Sequence, residues 1–456
     1  MVERGNISNY SGKVSSRGFL LRKELAVEEA NRCLSCPSKM CKKNCPLGID
    51  IPEFILKIKE QKFFEAFNLI QEKSFFPAIC SLVCPVEKQC EGACVRGRRS
   101  NPVRISVLEN FLANFCQNKE FSFKNIDILP KIKGKKVAIV GSGPAGLSSA
   151  VYLRKLNYEV TVYEKRKNAG GMLYYGIPNY RLEKTFLKNE IKKIFDFGIK
   201  IKTNVNIGKD IKLLDILKKE KFDAIFLATG AWTPNRLKVE GENLKNIFSF
   251  TEFLLMLKNE RESYFEREKV ENIAIIGGGN VAVDVARAAK KLKNVKKVYL
   301  IYRRSIEELL ANKDEIKKAL EENIEFVMLT NVKSFVSSSG NKVNEIVCTK
   351  NKLLDVLDSS GRKTFSEITN SYFKINVNIV VICAGAKSSK IFCGEPCNSL
   401  LYEKDGSLLI NEQGQSLKIP QIFAGGDVVL GPSTVAKACF DGQRGARNIH
   451  RYLESL

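Results

Sequence analysis

Apolar and polar residues follow different patterns along the chain, and each pattern predicts a different type of structure. Residues 51–73 carry apolar residues at helical spacing, and we expect the stretch from 1 to about 130 to be helical. Between residues 135 and 165 two runs of β-forming residues flank a helical segment, and residues 271–305 repeat this arrangement. Because alternating strands and helices favour parallel sheets, the sequence predicts an α/β protein with a helical domain in front.

The two strand–helix–strand units suggest how the chain divides into domains. We predict a helical domain over residues 1–130 and a discontinuous nucleotide-binding domain over 131–250 and 384–456. A second nucleotide-binding domain is predicted over 251–383. The closing segment, 422–453, is predicted to form a strand, a glycine-rich turn and a helix.

A glycine-rich motif lies between the first predicted strand and its helix. In the GxGxxG pattern the first glycine permits a tight turn, the second lets the backbone approach a pyrophosphate, and the third allows close packing of helix and strand. Glu164 lies at the end of the next predicted strand, where its carboxylate would accept hydrogen bonds from ribose hydroxyls. The motif residues are Gly141, Ser142, Gly143, Pro144, Ala145 and Gly146.

The second unit contains a related motif, but a different residue type follows its partner strand. That strand ends in Arg303 and Arg304 instead of a carboxylate. A carboxylate would repel a 2′-phosphate, whereas two guanidinium groups would bind it, so we predict NADP(H) here and FAD at the first motif. A surface arginine pair without a ligand is the alternative. The predicted NADP(H)-binding residues of the motif are Gly277, Gly279, Asn280, Val281 and Ala282.

The closing segment adds candidate flavin contacts. Asp427 follows Gly426 after a predicted strand, where its carboxylate could bind the ribityl chain. The helix that begins near Thr434 would direct its positive N-terminal end toward the isoalloxazine. An ordinary capped turn is the alternative explanation. Further flavin contacts are expected from Lys165, Gly171, Arg181 and Gly230.

Cysteines are concentrated near the amino terminus, where eight of the 14 fall between residues 33 and 94. The single histidine, His450, excludes sites that need several imidazoles. Close cysteines followed by a Cys-Pro step are typical of ferredoxin-like sites, whereas zinc modules usually repeat CxxC knuckles. We therefore predict two 4Fe–4S clusters, with zinc and plain buried thiols as alternatives. The eight are Cys33, Cys36, Cys41, Cys45, Cys80, Cys84, Cys90 and Cys94.

The formal net charge is +24, which permits a second class of function, a zinc-containing nucleic-acid-binding protein. However, apolar residues are threaded through the basic stretches, so we interpret the charge as solvated faces that also suit docking of an acidic electron carrier. No apolar run approaches the roughly 20 residues that span a bilayer, and the first residues lack the apolar core of a signal peptide. We therefore expect a cytoplasmic protein that binds neither membrane nor nucleic acid.

Together these motifs resemble one family of flavin and iron–sulfur proteins. It contains the small (β) subunit of NADPH-dependent glutamate synthase and the large subunit of NADH-dependent ferredoxin:NADP oxidoreductase. The sulfide dehydrogenase flavoprotein and the N-terminal half of dihydropyrimidine dehydrogenase are further relatives. The stretches that carry the resemblance include EEANRCLSC, CPLGIDIPEFI, FPAICSLVCPVEKQCEGAC, GSGPAGLSSA, GGMLYYGIPNYRLEK, GGGNVAVDVAR, YRRS and AGGDVV.

The resemblance implies an oxidoreductase with two Rossmann-like, glutathione-reductase-like domains behind an iron–sulfur domain. Electrons would pass from NADPH to FAD, through two 4Fe–4S clusters and out to a partner. That partner would be the large glutamate synthase subunit, for glutamate formation from glutamine and 2-oxoglutarate, or a ferredoxin-reductase-type flavoprotein subunit, with ferredoxin as a further candidate. No residue is expected to act as a catalytic acid or base, because hydride transfer between cofactors needs orientation instead.

The resemblance also implies a set of cluster ligands. Spacing alone would favour Cys80 over a carboxylate, but the resemblance implies that Glu109 is a ligand and Cys80 is spare. One cluster would be held by Cys33, Cys36, Cys41 and Glu109. The other cluster would be held by Cys45, Cys84, Cys90 and Cys94.

Overall fold

The structure is a computed structural model, and its described residues form two compact units. The described residues are 21–117, 134–258, 262–338, 340–358, 361–388, 390 and 400–456. The first unit comprises residues 1–174, 179–231 and 387–456, and the second comprises 175–178 and 232–386. The two ends of the predicted helical domain, 1–20 and 118–130, lie outside the described residues.

The amino-terminal part of the first unit is built from short helices. Residues 51–73 form two helices instead of one, because Gln61 adopts a left-handed conformation with a φ of 57° after the first of them. The helices are α1 (Lys23–Asn31), α2 (Met40–Lys43), α3 (Ile51–Lys59), α4 (Phe63–Gln71), α5 (Pro77–Val83) and α6 (Ile105–Gln117). Two 3₁₀ turns lie at Val86–Lys88 and Val95–Arg98.

Aromatic packing fixes the position of α6. The ring of Phe63 on α4 meets the rings of Phe111 and Phe115 edge-on, with centroids 5.3 Å and 5.0 Å away. Leu108 and Leu112 on the same helix are fully buried, so α6 lies in the core of the helical part. Full burial of one such side chain contributes about 1.5–3 kcal/mol to stability.

The rest of the first unit contains a five-stranded parallel sheet in the order β16-β4-β1-β2-β3. The strands are β1 (Lys136–Val140), β2 (Glu159–Glu164), β3 (Lys200–Thr203), β4 (Ala224–Leu227) and β16 (Ile422–Ala424). Its helices are α7 (Pro144–Lys155), α8 (Met172–Tyr175), α9 (Lys184–Asp196), α10 (Leu213–Lys218), α15 (Asp427–Leu430) and α16 (Val435–Glu454). Because β16 pairs with β4, the closing segment of the chain completes the sheet that residue 136 begins.

The second unit has its own parallel sheet, in the order β6-β14-β7-β8-β9. It also has an antiparallel sheet, whose strands lie between β9 and β14 along the chain. The parallel strands are β6 (Ile247–Ser249), β7 (Asn272–Ile276), β8 (Lys297–Ile301), β9 (Glu325–Val327) and β14 (Ile379–Ile382). The antiparallel strands are β10 (Thr330–Val336), β11 (Glu345–Leu357), β12 (Lys363–Glu367) and β13 (Phe373–Asn376). The helices are α11 (Phe250–Lys258), α12 (Glu262–Arg267), α13 (Asn280–Lys290) and α14 (Lys313–Glu321), and two short strands are β5 (Thr233–Pro234) and β15 (Ala386–Lys387).

The unit boundaries differ from the predicted domain boundaries of 250/251 and 383/384. Strand β6 precedes residue 250, yet it pairs in parallel with β14 of the second sheet. The compact units therefore divide at 231/232 and 386/387. Three residues are too few to show a strand pattern, so only the pairing reveals where β6 belongs. Within the described ranges, no helix combines the length and the apolarity needed to cross a bilayer.

Candidate cofactor sites

The first glycine-rich motif forms the turn between β1 and α7. Gly141 has a φ of 107°, and a Cβ there would lie 2.4 Å from the carbonyl oxygen of Ala228. A Cβ on Gly146 would lie 2.0 Å from the carbonyl oxygen of Gly141, which is impossibly close. By contrast, Gly143 is the N-cap of α7, and a Cβ there would meet no atom within 4 Å. The turn thus leaves open space at a helix N-terminus, where a pyrophosphate would fit.

Glu164 organises this turn from the end of β2. Its side chain is 6% exposed, and its carboxylate accepts hydrogen bonds from the main-chain N and the Oγ of Ser142 at 3.2 and 2.5 Å. The main-chain N of Arg166 donates to the other carboxylate oxygen at 2.8 Å. Burial, followed by repulsion from Arg166, lowers the pKa of the Lys165 ammonium next to it. Glu164 therefore holds the loop in place, and its contact with a ribose stays a prediction.

A second pair of glycines, Gly170 and Gly171, packs against the same turn. The main-chain N of Gly170 donates to the carbonyl oxygen of Ser142 at 3.0 Å. Gly171 has a φ of 53°, and a Cβ there would lie 2.8 Å from the Cα of Gly143. Gly230 also has a positive φ, of 73°. The predicted contact Gly171 thus lies directly beside the motif.

Asp427 is the first residue of α15, and the N-cap of this helix, Gly426, lies close to the start of α7. Gly426 has a φ of 76°, and a Cβ there would lie 2.8 Å from the Cβ of Ala145. Oδ1 of Asp427 accepts hydrogen bonds from the main-chain N and the Oγ of Ser433 at 3.1 and 2.7 Å. Burial raises the pKa of the Asp427 carboxyl despite these bonds, and nearby Asp441 raises it further. The structure therefore brings Asp427 to the first glycine-rich motif.

Two glycines of α16 were not predicted, although Gly442 sets how closely α16 approaches α7 and Gly445 sets how closely it approaches β4. A Cβ on Gly442 would lie 2.1 Å from the carbonyl oxygen of Ala145. A Cβ on Gly445 would lie 2.2 Å from the ring of Phe226. The signal was present in the sequence, because two glycines three residues apart on one helix face permit close helix packing.

Two hydrogen bonds join the helical part to the flavin-binding candidates within the first unit. Thr434 is the N-cap of α16, and its Oγ1 accepts from the main-chain N of Lys437 and from Nε2 of Gln89, both at 3.3 Å. Nη2 of Arg181 donates to the carbonyl oxygen of Val83 at 3.4 Å. Both links end beside Cys84, since Val83 precedes it and Gln89 follows it by five residues.

The second motif forms the same kind of turn between β7 and α13. Gly277 has a φ of 151°, and a Cβ there would lie 2.5 Å from the carbonyl oxygen of the residue after β14. Gly279 is the N-cap of α13, and a Cβ there would meet no atom within 4 Å. Oδ1 of Asn280 accepts a hydrogen bond from the main-chain N of Asn312 at 2.8 Å, and Ala282 is fully buried. Residues 280–282 thus begin a helix whose N-terminus faces open space.

The two predicted arginines have different environments. Arg304 is 3% exposed, and its Nε donates to the carbonyl oxygen of Lys363 at 2.7 Å. Its Nη2 donates to Asp358 at 2.5 Å, whereas its buried Nη1 has no partner among the described residues. Arg303 is exposed, with its guanidinium 5.3 Å from the ring centroid of Phe365. From the sequence both arginines were predicted to bind a 2′-phosphate in the same way, but only Arg304 is buried and hydrogen-bonded to the surrounding fold.

Four of the eight clustered cysteines line one cavity in the helical part. The remaining lining is mostly apolar and includes Leu34, Met40 and Val103. Burial, with smaller contributions from the thiols of Cys33 and Cys94, raises the pKa of the Cys41 thiol to about 11. Thiols held together in this way are the donor set of an iron–sulfur cluster, which binds thiolates. The four cysteines are Cys33, Cys36, Cys41 and Cys94.

A second group of thiols surrounds Glu109 on α6. Burial is the largest cause that raises the pKa values of Cys45 and Cys90, whereas for Cys84 the largest cause is its hydrogen bond with Cys80. The charge of Glu109 raises the pKa of all three thiols as well. Oε1 of Glu109 is buried and has no hydrogen-bond partner among the described residues. Burial and the thiol of Cys80 raise the pKa of this carboxyl well above its usual range. A buried, unpaired carboxylate oxygen among thiols fits a metal-ligand role, because burying it without a partner is costly.

This grouping differs from the predicted one, which placed Glu109 with Cys33 and Cys94 with Cys45. In the structure Cys94 lies at the first cavity, and Glu109 lies in the second group. The reason is tertiary: α5 packs on α6, with Nδ2 of Asn110 donating to Oγ of Ser81 at 3.0 Å, which brings Glu109 toward Cys84. Across the described ranges, no three Cys, His, Asp or Glu side chains converge closely enough to hold a single metal ion.

Comparison with known families covers both parts of the chain. Residues 135–442 match the pyridine nucleotide-disulphide oxidoreductase family. The chain belongs to this family. Residues 13–121 match the dihydropyrimidine dehydrogenase domain II, 4Fe-4S cluster family. The two matches confirm the predicted fold class, and they support FAD, NAD(P)H and 4Fe–4S iron as cofactors, in agreement with the open helix N-termini and the thiol groups described above.

Several characterised proteins are similar over most of this chain. The glutamate synthase [NADPH] small chain of Azospirillum brasilense is 29% identical, over 95% of this chain and 90% of its own length. The NADP(+)-dependent formate dehydrogenase subunit beta of Moorella thermoacetica is 33% identical over 91% of this chain. The NADPH-Fe(3+) oxidoreductase subunit beta of Geobacter sulfurreducens is 32% identical over the same share. This chain spans only 60% and 63% of the latter two proteins.

Solved structures support the fold of the nucleotide-binding part. FprA of Mycobacterium tuberculosis in complex with NADPH is 20% identical, with a TM-score of 0.59 over 71% of this chain and 85% of that protein. Thioredoxin reductase of T. acidophilum is 19% identical, with a TM-score of 0.51 over 70% of this chain and 98% of that protein. The relatives above confirm the predicted family resemblance, and the two solved structures support the fold alone. The chain is an NAD(P)H-dependent oxidoreductase of the flavin and iron–sulfur type.

Proposed function

We propose that this chain is the NADPH-oxidising, electron-input subunit of a larger enzyme, and specifically the small subunit of a glutamate synthase. It spans 90% and 92% of the small chains of glutamate synthase [NADPH] from Azospirillum brasilense and Escherichia coli. When bound, FAD would accept electron pairs from NADPH, and 4Fe–4S clusters would carry single electrons onward to the partner. The partner would use them for reductive glutamate formation from glutamine and 2-oxoglutarate.

The observation that carries the proposal is the hydrogen bond between Gln89 and Thr434. Gln89 lies between Cys84 and Cys90 of the second thiol group, and Thr434 caps the helix assigned to the flavin. A cluster held by that group would therefore lie next to the flavin site within one compact unit. Proximity is the main structural requirement for passing electrons between bound groups.

We assign the cluster ligands according to the grouping of the side chains. The first cluster would be held by Cys33, Cys36, Cys41 and Cys94. The second cluster would be held by Cys45, Cys84, Cys90 and Glu109, with Cys80 spare. The unpaired Oε1 of Glu109 supports its place in the second set.

The nucleotide sites follow from the two glycine-rich turns. FAD would lie at the N-termini of α7 and α16, with Glu164 and Asp427 ordering the surrounding loops. NADP(H) would lie at the N-terminus of α13, with Arg303 and the unpaired Nη1 of Arg304 available to a 2′-phosphate. Since these residues bind and orient, none of them needs to act as a proton donor or acceptor.

Charge supports an acidic partner at the first cavity. The two segments that carry its cysteines, residues 32–43 and 94–104, contain four basic residues each and no acidic residue. Asp50 pairs with two of these, Lys39 and Lys42, at 3.3 and 2.6 Å. Leu34, 58% exposed, offers an apolar contact at the cavity. Such a surface would steer an acidic protein toward the first cluster.

The same basic surface favours a second candidate function. A large subunit of an NADH-dependent ferredoxin:NADP oxidoreductase, or a sulfide dehydrogenase-type reductase, would also exchange electrons with an acidic carrier such as ferredoxin. Its second subunit would be a ferredoxin-reductase-type flavoprotein. The two candidates differ in the partner and not in the chemistry of this chain.

The experiment is to isolate the native complex anaerobically and to measure NADPH oxidation with two sets of acceptors. Glutamine with 2-oxoglutarate tests the first candidate, and ferredoxin with NAD tests the second. Glutamate formation that depends on both this chain and its partner supports the first. Oxidation only with ferredoxin contradicts it in favour of the second, and failure with both, in protein that retains flavin and iron, contradicts both.

A further inference from the structure

The loop between β11 and β12 brings a third arginine to the end of β8. Arg362 lies directly before β12, and its Nη1 donates to the hydroxyl of Tyr302 at 3.3 Å. Tyr302 immediately precedes Arg303. The main-chain N of Arg362 donates to Oδ1 of Asp358 at 3.2 Å, which fixes the backbone of the loop at this point. Nothing in the sequence pattern connects Arg362 with the arginine pair, which lies 59 and 58 residues before it.

Positive charge exceeds negative charge at this place. Asp358 pairs with Arg304 at 2.5 Å and with Arg362 at 3.7 Å, and no salt bridge reaches Arg303 within the described ranges. Three guanidinium groups and one carboxylate leave a net charge of about +2. Like charges this close repel one another unless an anion lies between them.

One of the three arginines, Arg304, has a donor without a partner among the described residues. Nη1 of Arg304 is buried and has no partner among the described residues. The residue as a whole is also buried, with 3% of its surface exposed. Leaving a buried charged donor unpaired is costly, so the site is suited to a ligand that supplies acceptor oxygens. A phosphate monoester has three such oxygens and up to two negative charges.

Phe365 orients two of the three arginines. The guanidinium groups of Arg303 and Arg304 lie 5.3 and 5.7 Å from its ring centroid. Because Nε of Arg304 is also bound to the carbonyl oxygen of Lys363, the start of β12 holds Arg304 in place. Arg362 directly precedes Lys363, so Arg362 is held close to the end of β8 as well.

We propose that Arg362 is a third anchor for the 2′-phosphate of NADP(H) and helps to set the preference for NADPH over NADH. The inference rests on the proposed NADP(H) site at the second motif. Arg304 is the buried anchor, whereas Arg303 and Arg362 approach from the exposed strand end and from the loop. The antiparallel hairpin thereby contributes directly to nucleotide choice.

The test compares nucleotide binding in three variants of the full chain. Arg362→Met removes the charge, Arg362→Lys keeps it, and Lys363→Met is the matched control, because the Lys363 ammonium pairs instead with the exposed Asp355 at 2.8 Å. Titration calorimetry with 2′,5′-ADP and with 5′-AMP, which differ only in the 2′-phosphate, measures the contribution of that phosphate without turnover. Arg362→Met is expected to weaken the binding of 2′,5′-ADP by about tenfold or more and to leave the binding of 5′-AMP unchanged. Arg362→Lys should lose less affinity for 2′,5′-ADP, and Lys363→Met should bind 2′,5′-ADP as tightly as the wild type does.

The other possible results of these titrations overturn either the role of Arg362 or the proposed NADP(H) site. If Arg362→Met binds 2′,5′-ADP as tightly as the wild type, Arg362 does not contact the 2′-phosphate. An equal loss of both nucleotides also overturns the inference, since it indicates that Arg362 only supports the fold. A wild-type protein that binds 2′,5′-ADP and 5′-AMP equally well would instead overturn the proposed NADP(H) preference, which is a separate failure.

Discussion

Nε2 of Gln89 donates a hydrogen bond to Oγ1 of Thr434, 3.3 Å away, across 345 residues of sequence. The bond joins the loop that carries Cys84 and Cys90 to the N-cap of α16. The side chain of Gln443, further along α16, makes a second link by donating to the carbonyl oxygen of Lys73 at 2.8 Å. The helical part and α16 are therefore held together at two points along one helix.

The Gln89–Thr434 bond is expected to couple the two parts energetically. Gln89→Ala and Thr434→Ala should each destabilise the protein, and a double-mutant cycle should give a coupling energy of about 0.5–1.5 kcal/mol. Chemical denaturation of the four proteins measures this energy. A coupling energy of zero would mean that the hydrogen bond makes no net contribution, and the proposed close approach of cluster and flavin would lose its main support.

Cluster content distinguishes the two possible groupings of ligands. Cys33→Ser combined with Glu109→Ala should lose both clusters, because the two residues lie in different groups. Cys33→Ser combined with Cys94→Ser should lose only the first, since both line one cavity. Iron and acid-labile sulfide analysis of anaerobically purified protein measures the outcome. The grouping predicted from the sequence requires the opposite result, and Cys80→Ser serves as the control that keeps both clusters.

The two kinds of glycine in the first motif should respond differently to alanine. Gly143→Ala should change the free energy of unfolding by less than about 0.5 kcal/mol, because the new Cβ meets no atom, yet it should weaken FAD binding. Gly146→Ala should destabilise the fold itself, since its Cβ would lie 2.0 Å from a carbonyl oxygen. Thermal denaturation and flavin content separate the two effects. Full flavin content in Gly143→Ala would contradict the pyrophosphate position.

Charge reversal at the first cavity should slow electron delivery to an acidic partner. Arg98 and Arg99 are exposed and have no ion pair in the described part of the chain, so Arg98→Glu with Arg99→Glu is expected to lower the association rate by about tenfold at low salt. The effect should disappear as ionic strength rises. Lys192→Glu with Lys200→Glu, at exposed positions on α9 and β3, makes the same change in net charge. An equal effect in both variants would show that only overall charge matters.

Asp441 should make stability depend on pH. It is 3% exposed, and burial raises the pKa of its carboxyl above the ordinary value despite the ion pair with Arg444. A group whose folded-state pKa is raised favours the folded state at low pH, and this contribution is lost as pH rises through the folded pKa. The free energy of unfolding should therefore fall as pH rises above the ordinary pKa of an aspartate, and Asp441→Asn should make this fall smaller. Denaturation at several pH values measures the difference. An unchanged slope would contradict this.

Local signals were sufficient to predict the glycine-rich turns. Gly141, Gly146 and Gly277 are required by contacts within a few residues of the turn or with the neighbouring strand end, so the motif itself carries the information. Local signals were not sufficient to predict how the cluster ligands are grouped. Whether Glu109 or Cys94 joins Cys45 depends on how α5 packs against α6, and spacing along the chain does not encode that packing.

The second unit shows the same limit. The alternation of strands and helices predicted its parallel sheet, but not the antiparallel strands between residues 330 and 376. As a result, Arg303 and Arg304 looked equivalent in the sequence, although the hairpin buries Arg304 against Asp358 and leaves Arg303 exposed. Arg362 could not be connected with them at all, because the contact is made only by the folded hairpin.

The most direct test of the proposed role is anaerobic titration of the purified chain with NADPH, followed by absorbance and by electron paramagnetic resonance. We expect NADPH to bleach the flavin band and a signal from a reduced 4Fe–4S cluster then to appear. Glu109→Ala with Cys84→Ser should lose that signal but still show flavin bleaching. Protein that contains flavin and is bleached by NADPH, yet holds no acid-labile sulfide in the wild type, would contradict the proposed role.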